Sequence, residues 1–246
     1  MSGDLHDHEL NFLRLVKLAE LADSRYHHLI LHEVIHGDEL VDGKDYSVKL
    51  LARTAALKLR YPGQVHVMLG NHELAQLARE DIYKGGVALV DAFSQGLEEL
   101  YGTLAENVRG AMHAFIRSLL LAVRCPNGIF CSHSLPGSEV LEEFDPEVLE
   151  RFPTDDDLSV DGDAYHLVWG RDHDEALVQR LAAEWDARIF VIGHEPAHEG
   201  FRIENEQLLI LASDHDQGAA LPIRLSRRYG MRELVERILP LASVEV

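Results

Sequence analysis

A layered α/β fold with one functional edge, where the strands end, is predicted for this chain. Two observations predict it. Four short apolar runs, His28 to Ile35, Val65 to Leu69, Ile129 to Cys131 and Arg188 to Ile192, alternate with longer segments of helical periodicity. Each run also passes into a polar cluster: Gly37-Asp38, Gly70-Asn71-His72-Glu73, Ser132-His133 and Gly193-His194. Ligands of α/β proteins bind where such loops converge, and a preceding glycine lets the backbone turn so that the polar side chain faces the crevice.

The remaining elements follow in order. Leu10 to Ala22 has apolar residues at helical spacing (Leu10, Leu13, Val16, Leu18, Leu21) and predicts an amphipathic helix. Tyr46 to Leu59 predicts a second helix, stopped by Tyr61-Pro62-Gly63. Helices are expected to fill much of Leu74 to Ala122. Asp145 to Asp163, acidic and carrying Pro146 and Pro153, reads as an exposed loop or short helix. A helix is expected over Glu175 to Trp185, strands over Gln207 to Ala212 and Ala220 to Leu225, and a closing helix over Met231 to Leu239. With no internal repeat and no low-complexity linker, residues 1–246 read as a single domain.

Composition narrows the function. A formal net charge of −19 repels a phosphate backbone, so no nucleic-acid partner is expected. No apolar stretch is long enough to span a bilayer, so no membrane partner is expected either. Only two cysteines, Cys125 and Cys131, and a polar start without a secretion signal make the cytoplasm the expected compartment. An acidic protein that handles phosphate would need bound divalent cations to reverse its field locally. The 15 histidines point the same way.

The chemistry-bearing residues recur in a fixed order. Gly3-Asp4-Leu5-His6 puts a carboxylate and an imidazole two residues apart, on one side of an extended segment. Hard oxygen with borderline nitrogen suits manganese, iron or zinc. Gly37-Asp38 with Asp42, then Gly70-Asn71-His72-Glu73, Ser132-His133 and Gly193-His194 complete the set. Any one of these histidines alone is an ordinary polar residue; five segments in this order are a constellation.

That order resembles the calcineurin-like metallophosphoesterases, and most of all their branch of bacterial and phage serine/threonine protein phosphatases. The branch shows GDxVDRG, GNHE, a W-x-R segment and GHTP. This chain has Gly37-Asp38-Glu39-Leu40-Val41-Asp42-Gly43, Gly70-Asn71-His72-Glu73, Trp169-Gly170-Arg171 and Gly193-His194-Glu195-Pro196. The resemblance implies a metallophosphoesterase-type β-sandwich flanked by helices, with the metal site at the C-terminal ends of the strands. It also implies a phosphatase with two divalent metal ions, manganese foremost, bridged by Asp38 and sharing a hydroxide. Asp4 and His6 would complete one site; Asn71, His133 and His194 would complete the other. His72 would protonate the leaving oxygen, Asp42 would orient His72, and Arg171 would grip the phosphate. The implied substrate is a phosphorylated protein or a small phosphate ester. A dinucleoside polyphosphate, or a non-catalytic metal-binding role, are the alternatives.

The chain departs from the family pattern at four places. Asp7 stands where glycine is usual, Gly43 where a phosphate-binding arginine is usual (with Lys44 beside it), and Ser134 where a glycine or alanine is usual. Only three residues precede Asp4, where the family has a full strand. A first strand so truncated is expected to fray, leaving the Asp4/His6 cation the looser of the two.

Overall fold

The computed structural model describes residues 1–246. In chain order the elements are α1 (Glu9–Ala19), β1 (Leu29–Leu31), α2 (Val48–Arg60), β2 (Val65–Val67), α3 (Asn71–Ala78), β3 (Tyr83–Lys84), β4 (Val87–Ala88), α4 (Leu89–Tyr101) and α5 (Ala105–Ile116). There follow β5 (Ala122–Arg124), β6 (Ile129–Ser132), α6 (Asp155–Leu158), α7 (Asp163–Trp169), α8 (Glu175–Glu184), β7 (Ile189–Ile192), β8 (Phe201–Asn205), β9 (Leu208–Leu211), β10 (Ala219–Ala220), α9 (Met231–Val235) and β11 (Leu239–Pro240).

The main sheet has the order β5-β6-β7-β9-β8, with β6, β7 and β9 parallel and the outer strands antiparallel. Successive side chains of a strand point to opposite faces, and the core divides accordingly. Phe130, Phe190, Ile192, Leu208 and Ile210 join the larger apolar cluster. Their neighbours Ile129, Cys131, Ile189, Val191, Leu209 and Leu211 join a smaller one on the other face. Both faces are covered, which is why these strands read as unbroken apolar runs. No helix is long and apolar enough to cross a membrane.

A second, smaller parallel pair, β1–β2, is linked to the main sheet by the first residues of the chain. Asp4 bridges to His32 on one side and to Ala212 on the other, both in parallel sense. Ser2 donates its N–H to Ile30, Leu221 donates to Met1, and the Met1 amine donates back to Leu221. Ser2 and Asp4 are buried. The fraying expected of so short a segment therefore does not occur, because it is held between two strands from its second residue onward.

Several elements differ from the sequence reading: β1 ends at Leu31 and not Ile35, β5 and α7 were not expected, and the closing helix ends at Val235 and not Leu239. β8 was not expected; it is an edge strand whose Arg202, Glu204 and half-exposed Ile203 carry little apolar alternation. The strand expected from Ala220 to Leu225 stops at Ala220, two residues before Pro222, which has no N–H for a ladder. Within the expected helical stretch Leu74 to Ala122, Gly85-Gly86, both at positive φ, turn a two-residue hairpin between β3 and β4.

Candidate metal centre

The loops that follow β1, β2, β6 and β7, together with the segment at Asp4, deliver their polar side chains to one buried place. Oδ1 of Asn71, Nε2 of His133 and Nδ1 of His194 form a triangle with sides of 2.8, 3.0 and 3.1 Å. Oε2 of Glu33 lies 3.7 Å from Nε2 of His133 and 3.3 Å from Nε2 of His6. Glu33 thus stands between two groups of donors. Asp4 completes the cluster, with Oδ1 at 3.4 Å from Nδ1 of His133 and Oδ2 accepting the His194 N–H. In each of two groups, Asp4, His32 and His133 and separately His6, Glu33 and His72, the donor atoms lie within 4.8 Å of one another.

Local structure explains why these side chains converge. Asn71 and His72 open α3, and the His72 N–H binds Oε1 of Glu33, a carboxylate at a helix N-terminus. Glu73 reaches back the other way, its Oε1 accepting the N–H groups of Val34 and Ile35. From the first turn of α3 it therefore holds the loop after β1. Glycines make the close approaches possible: a Cβ on Gly193 would meet Asp4 Oδ1 at 2.1 Å, and one on Gly70 would meet Glu33 Oε1 at 2.5 Å. The backbone is strained at His6, Glu33, His36 and His194, with φ of 40°, 32°, 59° and 65°. Left-handed backbone at non-glycine residues costs on the order of 1–3 kcal/mol each and gathers at functional sites.

The electrostatics favour a cation. Burial works against a charged His133, yet the carboxylates of Glu33 and Asp4 outweigh it and push the imidazole up to about 9. Burial, aided by His133 and Arg171, takes His194 the other way, well below its ordinary value. Burial likewise raises Glu33 and, with Glu33 beside it, brings Glu73 to about 7. Asp4 Oδ1, His133 Nδ1 and His194 Nε2 are buried without a hydrogen-bond partner. Asn71 Oδ1 can only accept, and His133 Nε2 and His194 Nδ1 can each offer a lone pair, so three ligand-capable atoms meet within 3.1 Å of one another. A divalent cation satisfies all three lone pairs, so the donor set fits such an ion.

Two of the sequence-predicted residues lie elsewhere. Asp38 is exposed, its side chain at 65 % accessibility, and pairs with Lys84. It lies away from the buried donors, and Glu33, two residues past the end of β1, is the carboxylate that stands between His6 and His133. Asp42 is exposed too and does not contact His72. Asp42-Gly43, at φ 51° and 77°, forms the turn of a small hairpin in which Val41 and Lys44 exchange hydrogen bonds. Two positive φ values at an Asp-Gly pair are the signature of a type I′ turn. His72 instead faces His36, Nδ1 to Nδ1 at 3.0 Å. Arg171 is exposed next to His194, close enough to lower it, and has no ion-pair partner. Lys44 is tied to Glu99 at the surface. Lys84, by contrast, is near enough to disfavour the charged forms of His6 and His72.

Glu33, His36 and Lys84 escaped the sequence reading, as did His32. A signal for the first two existed: Glu33 and His36 are three apart, the spacing of GD-x-x-D, whereas Asp38 and Asp42 are four apart.

A mixed sheet with two layers of core and a cluster of Asp, Glu, Asn and His at its strand ends defines a metal-dependent hydrolase of layered α/β type. The family model for calcineurin-like phosphoesterases matches residues 2–219, and the chain belongs to that family of phosphoesterase enzymes. Among curated proteins it is similar to the "probable serine/threonine-protein phosphatase" of Encephalitozoon cuniculi, 27 % identical over 190 residues, covering 70 % of this chain and 38 % of that one. The chain thus spans well under half the length of that relative. Among solved structures it resembles a protein serine/threonine phosphatase from Saccharomyces cerevisiae (TM-score 0.59, 17 % identity, 88 % of this chain and 67 % of that chain). It also resembles the cold-active protein-tyrosine phosphatase of a Shewanella species (TM-score 0.59, 18 % identity, 89 % and 73 %). Identities this low bear on the fold alone.

Proposed function

We propose that this chain hydrolyses phosphate monoesters, on a phosphorylated protein or a small phosphate ester, with two divalent cations held by its buried cluster. The observation that carries the reading is the convergence of Asn71, His133 and His194 at 2.8–3.1 Å, with Glu33 shared between them and His6. Asp4, His6 and Glu33 would hold one ion; Glu33, Asn71, His133 and His194 the other. A pair of divalent ions, manganese foremost, supplies an acidified water and neutralises the phosphoryl oxygens.

The other residues serve the substrate. Arg171, without an ion-pair partner and beside His194, presents a guanidinium fork to a phosphate. Lys84, on the β3–β4 hairpin, stands on the His6 and His72 side and supplies a second positive group, compensating for the arginine that the motif lacks. In a chain of net charge −19 these two cations make a local exception that guides an anion to the cluster. The name of the curated relative, a probable serine/threonine-protein phosphatase, supports a phosphoprotein substrate.

His194→Ala is the direct test. Bound metal per chain should fall and hydrolysis of p-nitrophenyl phosphate should be lost while the fold survives. An unchanged metal content would remove His194, and with it the second cation site, from the reading. A panel of a phosphopeptide, p-nitrophenyl phosphate and diadenosine tetraphosphate should favour the first two; a preference for the third would make the chain a dinucleoside polyphosphate hydrolase.

A further inference from the structure

We infer that His72 is itself a cation ligand, its free ring nitrogen aimed at the His6/Glu33 group by a hydrogen-bond chain from Gln76 through His36, and not a proton donor to the leaving oxygen. The inference rests on the two-cation reading above and deepens it.

The wiring can be followed atom by atom. Gln76 Oε1 can only accept, so the His36 Nε2 at 3.1 Å donates to it. A neutral imidazole carries one N–H, and His36 Nδ1 is then an acceptor. His72 Nδ1 lies 3.0 Å from that atom and must be the donor. With its proton on Nδ1, His72 presents a lone pair on Nε2, which has no hydrogen-bond partner in the protein. His36 and Gln76 are fully buried and His72 nearly so, so water has little chance to rearrange the chain.

His6 is wired in the same way. Its Nδ1 lies 3.1 Å from the carbonyl of Ile35, which can only accept, and its Nε2 faces Glu33 at 3.3 Å. Two adjacent residues, Ile35 and His36, thus fix the tautomers of two imidazoles whose rings stand edge to face, with centroids 4.7 Å apart. Metal-bound histidines are oriented through the nitrogen that does not touch the ion. A proton donor needs the opposite arrangement, a carboxylate at the position of His36 to hold a doubly protonated ring. No carboxylate contacts either nitrogen of His72: Asp42 is at the surface, and Glu33 binds the backbone N–H of His72. Donor atoms of His6, Glu33 and His72 already lie within 4.8 Å of one another.

The test begins with the unaltered chain, labelled with nitrogen-15 at histidine, stripped of metal and refilled with cadmium-113. Cadmium–nitrogen coupling is expected at Nε2 of both His6 and His72. Coupling at His6 with none at His72 overturns the inference and leaves the two-cation reading intact; a protein that takes up no cadmium at all overturns that reading instead. Calorimetric titration with manganese gives a second readout. His72→Asn should weaken one of two cations by roughly tenfold or more, and Gln76→Leu by a smaller factor through lost orientation. If His72→Asn binds both cations as tightly as the parent but loses more rate on alkyl than on aryl phosphates, His72 is a proton donor and the inference fails.

Discussion

The parallel pair β1–β2 carries histidines at both of its ends, and only one end is equipped to hold a cation. At the starting end His28 and His66 stack with ring centroids 5.3 Å apart and nitrogens at 3.1 Å. No carboxylate accompanies them. Burial, reinforced by His28 and Lys58, takes His66 down to about 4. At the finishing end Glu33 and Asp4 surround His133 and drive it in the opposite direction, to about 9, against a greater burial. The rings are alike and their surroundings are not. A histidine cluster becomes a cation site when buried carboxylates and an amide oxygen join it; without them the same rings simply resist a proton.

The contrast is broken most severely at Glu33. Glu33→Gln keeps the shape and removes the shared charge, so both cations should weaken together. Metal content should fall below one ion per chain. The rate constant kcat/KM should drop by roughly 10³ or more, the worth of several kcal/mol of charge stabilisation. Asp38→Asn, in the motif that the sequence singled out, breaks an exposed ion pair and should change activity by no more than about twofold. Inductively coupled plasma analysis and steady-state kinetics on the two variants decide the matter. The reverse outcome, a silent Glu33 and an essential Asp38, would return the bridging position to Asp38.

The same pair of residues shows what could be read in the sequence. The fold class and the strand-end placement of the polar cluster were legible, because short apolar runs and glycines mark that edge, and Asp4, His6, Asn71, His133 and His194, which the motifs singled out, are brought together by the structure. Glu33 was hidden by the apolar run itself. Val34 and Ile35 are fully buried, and a reading by hydrophobicity extends the strand through them to Ile35. The ladder actually ends at Leu31, and positive φ at Glu33 and His36 turns the chain so that two consecutive core side chains, Val34 and Ile35, lie between two site side chains. Hydrophobic pattern does not report that turn. Asp42-Gly43 misled for a related reason: the pair is a turn signal in its own right and resembles a motif only by composition.

A smaller effect sharpens the account of the finishing end. Lys84 reaches the site from a hairpin and spends part of its charge on Asp38. Lys84→Met should raise KM for p-nitrophenyl phosphate by roughly tenfold, about 1.4 kcal/mol of lost binding, with kcat changed much less. High salt should mimic the substitution in the parent chain, since exposed charges are screened within a Debye length. A Lys84→Met variant with unchanged KM and unchanged salt response would leave Arg171 as the sole cation facing the phosphate.

The smallest effect comes from the starting end and concerns stability alone. Above pH 6.5 His66 is neutral in both folded and unfolded chains and contributes nothing. As the pH falls below that value the unfolded chain takes up a proton, while the folded chain, with His66 at about 4, does not. The unfolded state is favoured increasingly from pH 6.5 down to about 4, so acid destabilises the fold through this residue. The ring is only half-buried, and screening by solvent limits the loss to about 1 kcal/mol. His66→Gln removes the titration and keeps a polar side chain between His28 and Lys58. Urea unfolding of metal-free parent and variant at pH 7 and pH 5 isolates this residue, because the site histidines titrate equally in both proteins. The parent should lose about 1 kcal/mol more than the variant on acidification; equal losses would mean that the His28–His66 stack accommodates a proton, and that its surroundings differ less from those of the metal centre than the geometry indicates.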